Sequence, residues 1–292
     1  MFIKILKLIP LLVFLIVPLS LNANEVLKNF SDKVSEVAAG FIPGDGLTEV
    51  EIEIKEGQEP DFSILGVRDI IKTENSNFFT QFSLNNNDVS GKERFTGNLG
   101  AGYRILTDSE SLMIGVNSFF DQEFVEGHQR ASIGFEARAS VLEFNTNKYW
   151  GLSSSLPASG ATEKSIGSID YNLATQVPYM PWAKFRWTGY VHNADKGKVD
   201  SDGEIYSLDM ALNPTLQLDV SQDITNDADG DANAINLSFI YPPRENKPTL
   251  VDGILSDEIW FKESMEDKLS DKVERNNNLV VEIQGAVIFT KK

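Results

Sequence analysis

The chain has no cysteine. Disulfides, thiolate metal sites and cysteine nucleophiles are excluded, while the redox compartment stays open. Histidine is nearly absent: only His128 and His192 occur, far apart. No Ser–His–carboxylate relay or metal cluster can be argued from that spacing, so neither catalysis nor a cofactor is expected. Basic residues are outnumbered, 26 Lys and Arg against 43 Asp and Glu, for a formal net charge of -17. No nucleic-acid partner is expected, since phosphate binding needs a basic surface. Beyond Leu21 there is no long apolar run, so no later helix is expected to cross a membrane.

The first 23 residues do hold such a run. Lys4 and Lys7 precede an apolar stretch from Leu8 to Leu21, followed by Asn22 and Ala23. This is the n-region, h-region and small-residue site of an export signal, removed near Ala23. The stretch is too short for a spanning helix, and Pro10 and Pro18 interrupt it. Val26, Leu27, Phe30, Val34 and Val37 then follow helical spacing. A short amphipathic helix is expected within 24–47, broken by the "IPGDG" that follows.

From Thr48 to Tyr241 the pattern changes to period two. On "RFTGNLGAGYRI", Phe95, Leu99, Tyr103 and Ile105 share one parity, with Thr96, Asn98 and Arg104 on the other. Ile114, Val116 and Phe120 likewise oppose Asn117 and Asp121, and Val50, Ile52 and Ile54 oppose Glu49, Glu51 and Glu53. Such alternation marks strands with one apolar and one wet face. Twelve are read, at about 48–56, 61–70, 77–85, 94–105, 111–121, 130–139, 141–151, 167–177, 182–192, 204–213, 215–222 and 232–241.

A soluble sandwich also alternates, and the connections separate the two. Those numbered odd are mostly long and polar, as in "NNNDVSGKE", "SSSLPASGATEKS" and "NADKGKVDSDG"; those numbered even are tight, as in "PYMP". Long loops at one end and short turns at the other belong to a transmembrane barrel. The expected fold is thus all-β, a twelve-stranded antiparallel transmembrane β-barrel over 48–241. Tyr149, Trp150, Tyr179, Trp182, Tyr190 and Tyr241 lie near strand ends, as in an interfacial girdle, with some of them expected to be lumen or core residues instead. Asp223, Asp227, Asp229 and Asp231 surround Gly230, but the spacing does not fit an EF-hand, and a solvated loop is expected.

Residues 242–292 differ. Leu255, Ile259, Met265, Leu269 and Val273 are spaced for one helix face, with Ser256 a candidate cap and Asp257 and Glu258 in the first turn. A C-terminal helix over 255–273 is expected, followed by an extended segment.

"RFTGNLGAGYR", "LMIGVNSFFDQEF", "HQRASIGFEAR", "FNTNKYWGLS", "YNLATQVPYMPWAKFRWTGYV" and "DKVERNNNLVVEI" together resemble the inverse autotransporter β-domain, the barrel of the intimin and invasin family. The resemblance implies an outer-membrane barrel whose C-terminal segment passes through the pore, and a translocator or anchor function. It also implies dependence on the barrel assembly machinery and periplasmic chaperones. The linker motif would be Arg275, Asn276, Asn277 and Asn278. Family adhesins continue into extracellular repeats, whereas this sequence stops at Lys292. The expectation is a translocator without its passenger. The alternative is a stand-alone channel or surface-structural protein with a self-plugged pore; a surface ligand, if any, is not identified by the sequence.

In such a barrel the polar parity faces the lumen. Asn98, Gly100, Gly102, Arg104, Asn117 and Asp121 are assigned there, as are Glu136, Arg138, Glu143, Asn145, Lys184 and Arg186. The charges either hold the linker or solvate the lumen and pair with one another. Gly100 and Gly102 either let a linker approach the wall or relieve crowding on a coiled strand.

Overall fold

A computed structural model describes residues 44–55, 59–89, 91–107, 111–158, 161–194, 200–226, 230–283 and 286–288. The expected export signal and the amphipathic stretch Val26–Val37 lie outside these residues.

In chain order the strands are β1 (Gly46–Lys55), β2 (Asp61–Lys72), β3 (Ser76–Asp88), β4 (Glu93–Leu106), β5 (Leu112–Glu123), β6 (Gln129–Ala139) and β7 (Leu142–Gly151). There follow β8 (Leu156–Ala158), β9 (Ala161–Ser165), β10 (Ser168–Val177), β11 (Met180–His192), β12 (Ser201–Ala211), β13 (Leu216–Thr225) and β14 (Ala232–Tyr241). Two short strands follow, β15 (Val281–Ile283) and β16 (Ala286–Ile288).

All these strands except β8, β9, β15 and β16 form one closed barrel, each paired antiparallel with its sequence neighbour. β1 closes it against β14, in register from Thr48↔Tyr241 to Lys55↔Ala234. Closure satisfies every edge, which a sheet in lipid requires because acyl chains offer no hydrogen-bond partners. The period-two pattern becomes two surfaces. Leu99, Val116 and Ile133 project outward and are more than half exposed, while Arg104, Asp121 and Arg130 on the opposite parity are fully buried inside.

The short turns are held by side chains. Asn213 Oδ1 accepts from the backbone N–H of Thr215 and Leu216, both at 2.9 Å, between β12 and β13. Thr73 Oγ1 accepts from Ser76 N at 3.0 Å between β2 and β3. These are local side-chain turns of the Asx and Thr type. At the opposite end the strands run further than the alternation indicated. β3 reaches Asp88 and β4 starts at Glu93, so much of "NNNDVSGKE" is strand. The connection between β7 and β10 contains the hairpin β8–β9, whose loop composition concealed it.

Two expectations need correction. The segment 255–273 is not an α-helix: among the described residues the tail has two single 3-10 turns, Leu250–Asp252 and Asp267–Ser270, and no α-helix. Outside those turns many of its backbone polar groups bond to the barrel, as Phe261 N does to Gln176 and Glu263 N to Ser140. The aromatic group also divides. Trp150, Tyr179 and Tyr241 are exposed on the outside, but Tyr149, Trp182 and Tyr190 are buried, each held by a polar partner that an interfacial girdle would not supply.

Candidate functional site

The lumen is occupied by the chain's own C-terminal segment. At the short-turn end, Glu263 N donates to Ser140 Oγ at 2.7 Å, Phe261 N to Gln176 Oε1 at 2.7 Å, and Ser256 N to Tyr179 O at 2.8 Å. From there the chain enters the barrel. Met265 and Leu269 pack with Leu106 and Met113. Val273 packs higher up with Leu65, Val67, Phe79 and Phe119. At the far end Ile166 N donates to Val280 O. β15 then pairs antiparallel with β9, from Val281↔Ser165 to Ile283↔Glu163. The segment therefore traverses the lumen and ends in a sheet with a long-connection hairpin.

The wall that receives it is layered. On β4, Gly100 and Gly102 face inward between the rings of Phe119 and Phe79. A Cβ at either glycine would lie 2.3 or 2.4 Å from the nearest ring atom, so only glycine lets the rings lie against the wall. The guanidinium of Arg104 sits 4.3 Å from the Phe79 ring centre, and that of Arg275 4.2 Å from Phe119. Arg130 stands likewise 4.3 Å from Tyr149. Cation–π contact favours such stacking most where water is excluded.

Acids on the same wall then aim the guanidinium groups. Glu136 binds Arg104 Nε at 2.7 Å and Arg138 Nη2 at 2.8 Å. Asp121 binds Arg130 Nε at 2.8 Å. Buried charge requires such pairing. Other N–H groups of these arginines point at main-chain carbonyls of the tail. Arg104 Nη1 donates to Leu269 O at 3.0 Å and Asp271 O at 2.5 Å. Arg138 Nη2 donates to Lys272 O at 2.9 Å. Arg130 reaches Asn276 O at 2.7 Å and Asn278 O at 2.9 Å.

Carboxamides complete the set. Asn145 donates to Glu274 O at 2.6 Å and Asn147 to the same oxygen at 3.0 Å. Asn98 donates to Asn277 O at 3.0 Å, and its own oxygen accepts from Ser83 at 2.6 Å. Two tail N–H groups are also bound, Val273 N by Gln81 Oε1 at 2.7 Å and Asn276 N by Tyr149 OH at 2.8 Å.

Three cations of the tail pair with carboxylates of the barrel wall, and tail acids pair with wall cations, Asp271 with Arg138 at 3.5 Å and Glu263 with Lys184 at 3.6 Å. Arg275 lies 2.7 Å from Asp121, Lys272 2.6 Å from Glu49, and Lys268 3.1 Å from Glu143. Lys184 shares Glu143 at 2.6 Å, and Arg186 bridges Asp209 and Glu274 at 3.0 and 3.5 Å. Asn117 is buried against Gly134. Within the linker motif, Arg275 Nη1 donates to Asn277 Oδ1 and Asn278 N to Asn276 Oδ1, folding the motif on itself.

The charged side chains thus both pair with one another and hold the tail. Arg130, Asn147 and Tyr149 were not singled out from sequence for this role. All three share the inward parity of residues that were, so that parity was the available signal. Asp223, from the acidic loop, accepts from Tyr190 OH at 2.9 Å, and Asp227 and Asp229 lie outside the described residues. Among the described residues no group of three His, Asp or Glu is placed to hold a metal.

The model of the family described as "Inverse autotransporter, beta-domain" matches residues 21–277. The chain belongs to this family. Inverse autotransporter adhesin YeeJ of Escherichia coli (strain K12) is 25% identical over 223 residues, 72% of this chain and 9% of that protein. Invasin of Yersinia enterocolitica is 29% identical over 107 residues, 36% of this chain and 12% of that protein. The chain therefore spans about a tenth of the length of these curated relatives. A membrane protein solved in a study of in-meso crystallization shares the fold, with a TM-score of 0.66 at 18% identity, covering 82% of this chain and all of that one. An inverse autotransporter barrel resides in the outer membrane, with its short turns toward the periplasm and its long loops outside the cell.

Proposed function

We propose that this barrel acts as a translocator and anchor: it holds an extended segment of its own chain across the outer membrane and retains at the cell surface whatever polypeptide continues from it. The observation that carries the reading is the course of residues 263–283. The segment is tied to Ser140 at the periplasmic rim and paired with β9 at the extracellular end. About 20 residues at roughly 3.3 Å each can reach some 65 Å, ample for a hydrocarbon core of about 30 Å even along an irregular path. The reading assigns no reaction to the chain. It calls on the barrel assembly machinery and periplasmic chaperones as partners in insertion.

The test is an epitope placed after Lys292, probed on intact cells with external protease. Cleavage with the barrel still folded is the expected result. An epitope that is protected until the outer membrane is breached would place the C-terminus inside and refute the anchor reading.

A further inference from the structure

Besides the apolar packing of Met265, Leu269 and Val273, polar groups of the wall grip the tail in two different ways, and the difference is informative. Most contacts from the wall go to its main chain. Carbonyls of residues 269, 271, 272, 274, 276, 277 and 278 each accept from a barrel side chain at 2.5–3.0 Å. Consecutive residues, 276 through 278, are all bound, so donors stand on more than one side of the chain. Every residue of any sequence except for its side chain presents the same carbonyl. This grip does not distinguish one register of a threaded chain from the next.

The second grip does distinguish them. Lys268, Lys272 and Arg275 each meet a wall carboxylate, Glu143, Glu49 and Asp121. Each cation is immediately preceded by an acid: Asp267-Lys268, Asp271-Lys272 and Glu274-Arg275. An outward slip of one residue would bring Asp267, Asp271 and Glu274 to the levels of Glu143, Glu49 and Asp121. Three opposite-charge pairs would become three like-charge pairs at once. Inside a barrel, where screening is weak, that reversal is far costlier than in bulk water. A juxtaposition that penalises the wrong partner sets specificity as surely as an attraction to the right one.

From this we infer that the lumen is a sequence-independent track for an extended polypeptide, and that the three acid–cation dipeptides form a charge register that halts the chain at one position. Arg104, Arg130 and Arg138 with Asn98, Asn145 and Asn147 are the track. Glu49, Asp121 and Glu143 are the stop. The inference rests on the anchor reading, since it concerns the same threaded segment. It adds what defines the end point of threading: not the bulk of a folded domain but the order of charges over 267–275.

The chain lacks cysteine, so a disulfide can report the register. One cysteine is placed as Asn98→Cys on the wall. The other is moved through Asn276→Cys, Asn277→Cys, Asn278→Cys and Leu279→Cys, and cross-linking yield is read on the full chain in outer membranes. In the parent, one tail position should dominate. The dipeptides are then reversed together as D267K/K268D, D271K/K272D and E274R/R275E, which preserves composition and net charge. The dominant position should move toward the N-terminus. An unchanged dominant position with a heat-modifiable, folded barrel overturns the charge register while leaving the anchor reading intact. No cross-link at any tail position in a folded parent refutes threading itself. Should the triple reversal fail to fold, E274R/R275E alone decides: a broadened or displaced profile supports the register, and an unchanged one overturns it.

Discussion

Arg275 Nη2 lies 2.7 Å from Asp121 Oδ2 inside the barrel, with both side chains wholly buried. The same carboxylate accepts from Arg130 Nε at 2.8 Å and from Asn98 Nδ2 at 2.7 Å. One acid thus joins β4, β5 and β6 to the threaded tail. The two ends of the pair are not equivalent. Without Arg275, Asp121 keeps Arg130 and Asn98. Without Asp121, two guanidinium groups lose their shared anion. Leaving a buried charge without its partner costs about 3–5 kcal/mol. Asp121→Ala should therefore lower the unfolding midpoint of the barrel in detergent, read by heat-modifiable mobility, clearly more than Arg275→Ala does. Equal losses would show that Asp121 acts on the tail alone.

Gly100 and Gly102 support that network from behind. A methyl group at either position must displace the Phe119 or Phe79 ring, and with it the guanidinium group stacked on that ring. Overpacking of this kind costs about 1–3 kcal/mol. Gly102→Ala should destabilise the barrel by that order, and Phe79→Leu in the same chain should recover part of the loss by freeing space. If the double variant is as unstable as the sum of the single ones, ring displacement is not the cause.

The barrel was legible because each strand separates two environments, and a period of two records both. Leu99 and Arg104 on β4 declare their faces by parity alone. The tail was not legible for the opposite reason. Met265, Leu269 and Val273 stand four residues apart, which is helical spacing, yet they fill apolar pockets at successive levels of the lumen along a non-helical path. Its conformation owes much to distant donors such as Arg104 and Asn145, and local periodicity carries no record of them. The hairpin β8–β9 was hidden likewise, since its partner β15 lies more than a hundred residues away. Arg130 and Asn147 could have been assigned from parity; their bond to the main chain of the tail could not.

The tail stands in the path that an ion through the barrel would take. A cavity of about 140 Å³ remains beside it, lined among others by Arg186, Asp209, Lys247 and Lys272. Deleting 255–292 removes the ions and apolar side chains that fill the rest of the lumen. In planar bilayers the truncated barrel should show a steady conductance well above that of the full chain. Equal conductances from two folded proteins would mean that the tail does not obstruct the pore.

At the extracellular end, the hairpin that pairs with β15 is tied down by Glu163. Its carboxylate accepts from Arg94 Nη1 and Nη2, both at 2.7 Å, and lies 3.3 Å from His128 Nε2. Burial acts to raise the Glu163 carboxyl, but the Arg94 hydrogen bond and charge outweigh it and hold the group below its ordinary value. Burial lowers His128 from its ordinary value, against the attraction of Glu163. In both cases the folded value lies below the unfolded one, so the unfolded form takes up protons first as pH falls. The stabilisation is complete above the unfolded value of each group and is lost on acidification. His128 contributes to the loss below about pH 6.5, and Glu163 below about pH 4.5. Protection of the 152–167 connection from external protease should fall in that order. His128→Gln should flatten the upper part of the profile and leave the lower part in place. A profile unchanged by His128→Gln would assign the whole acid response to Glu163.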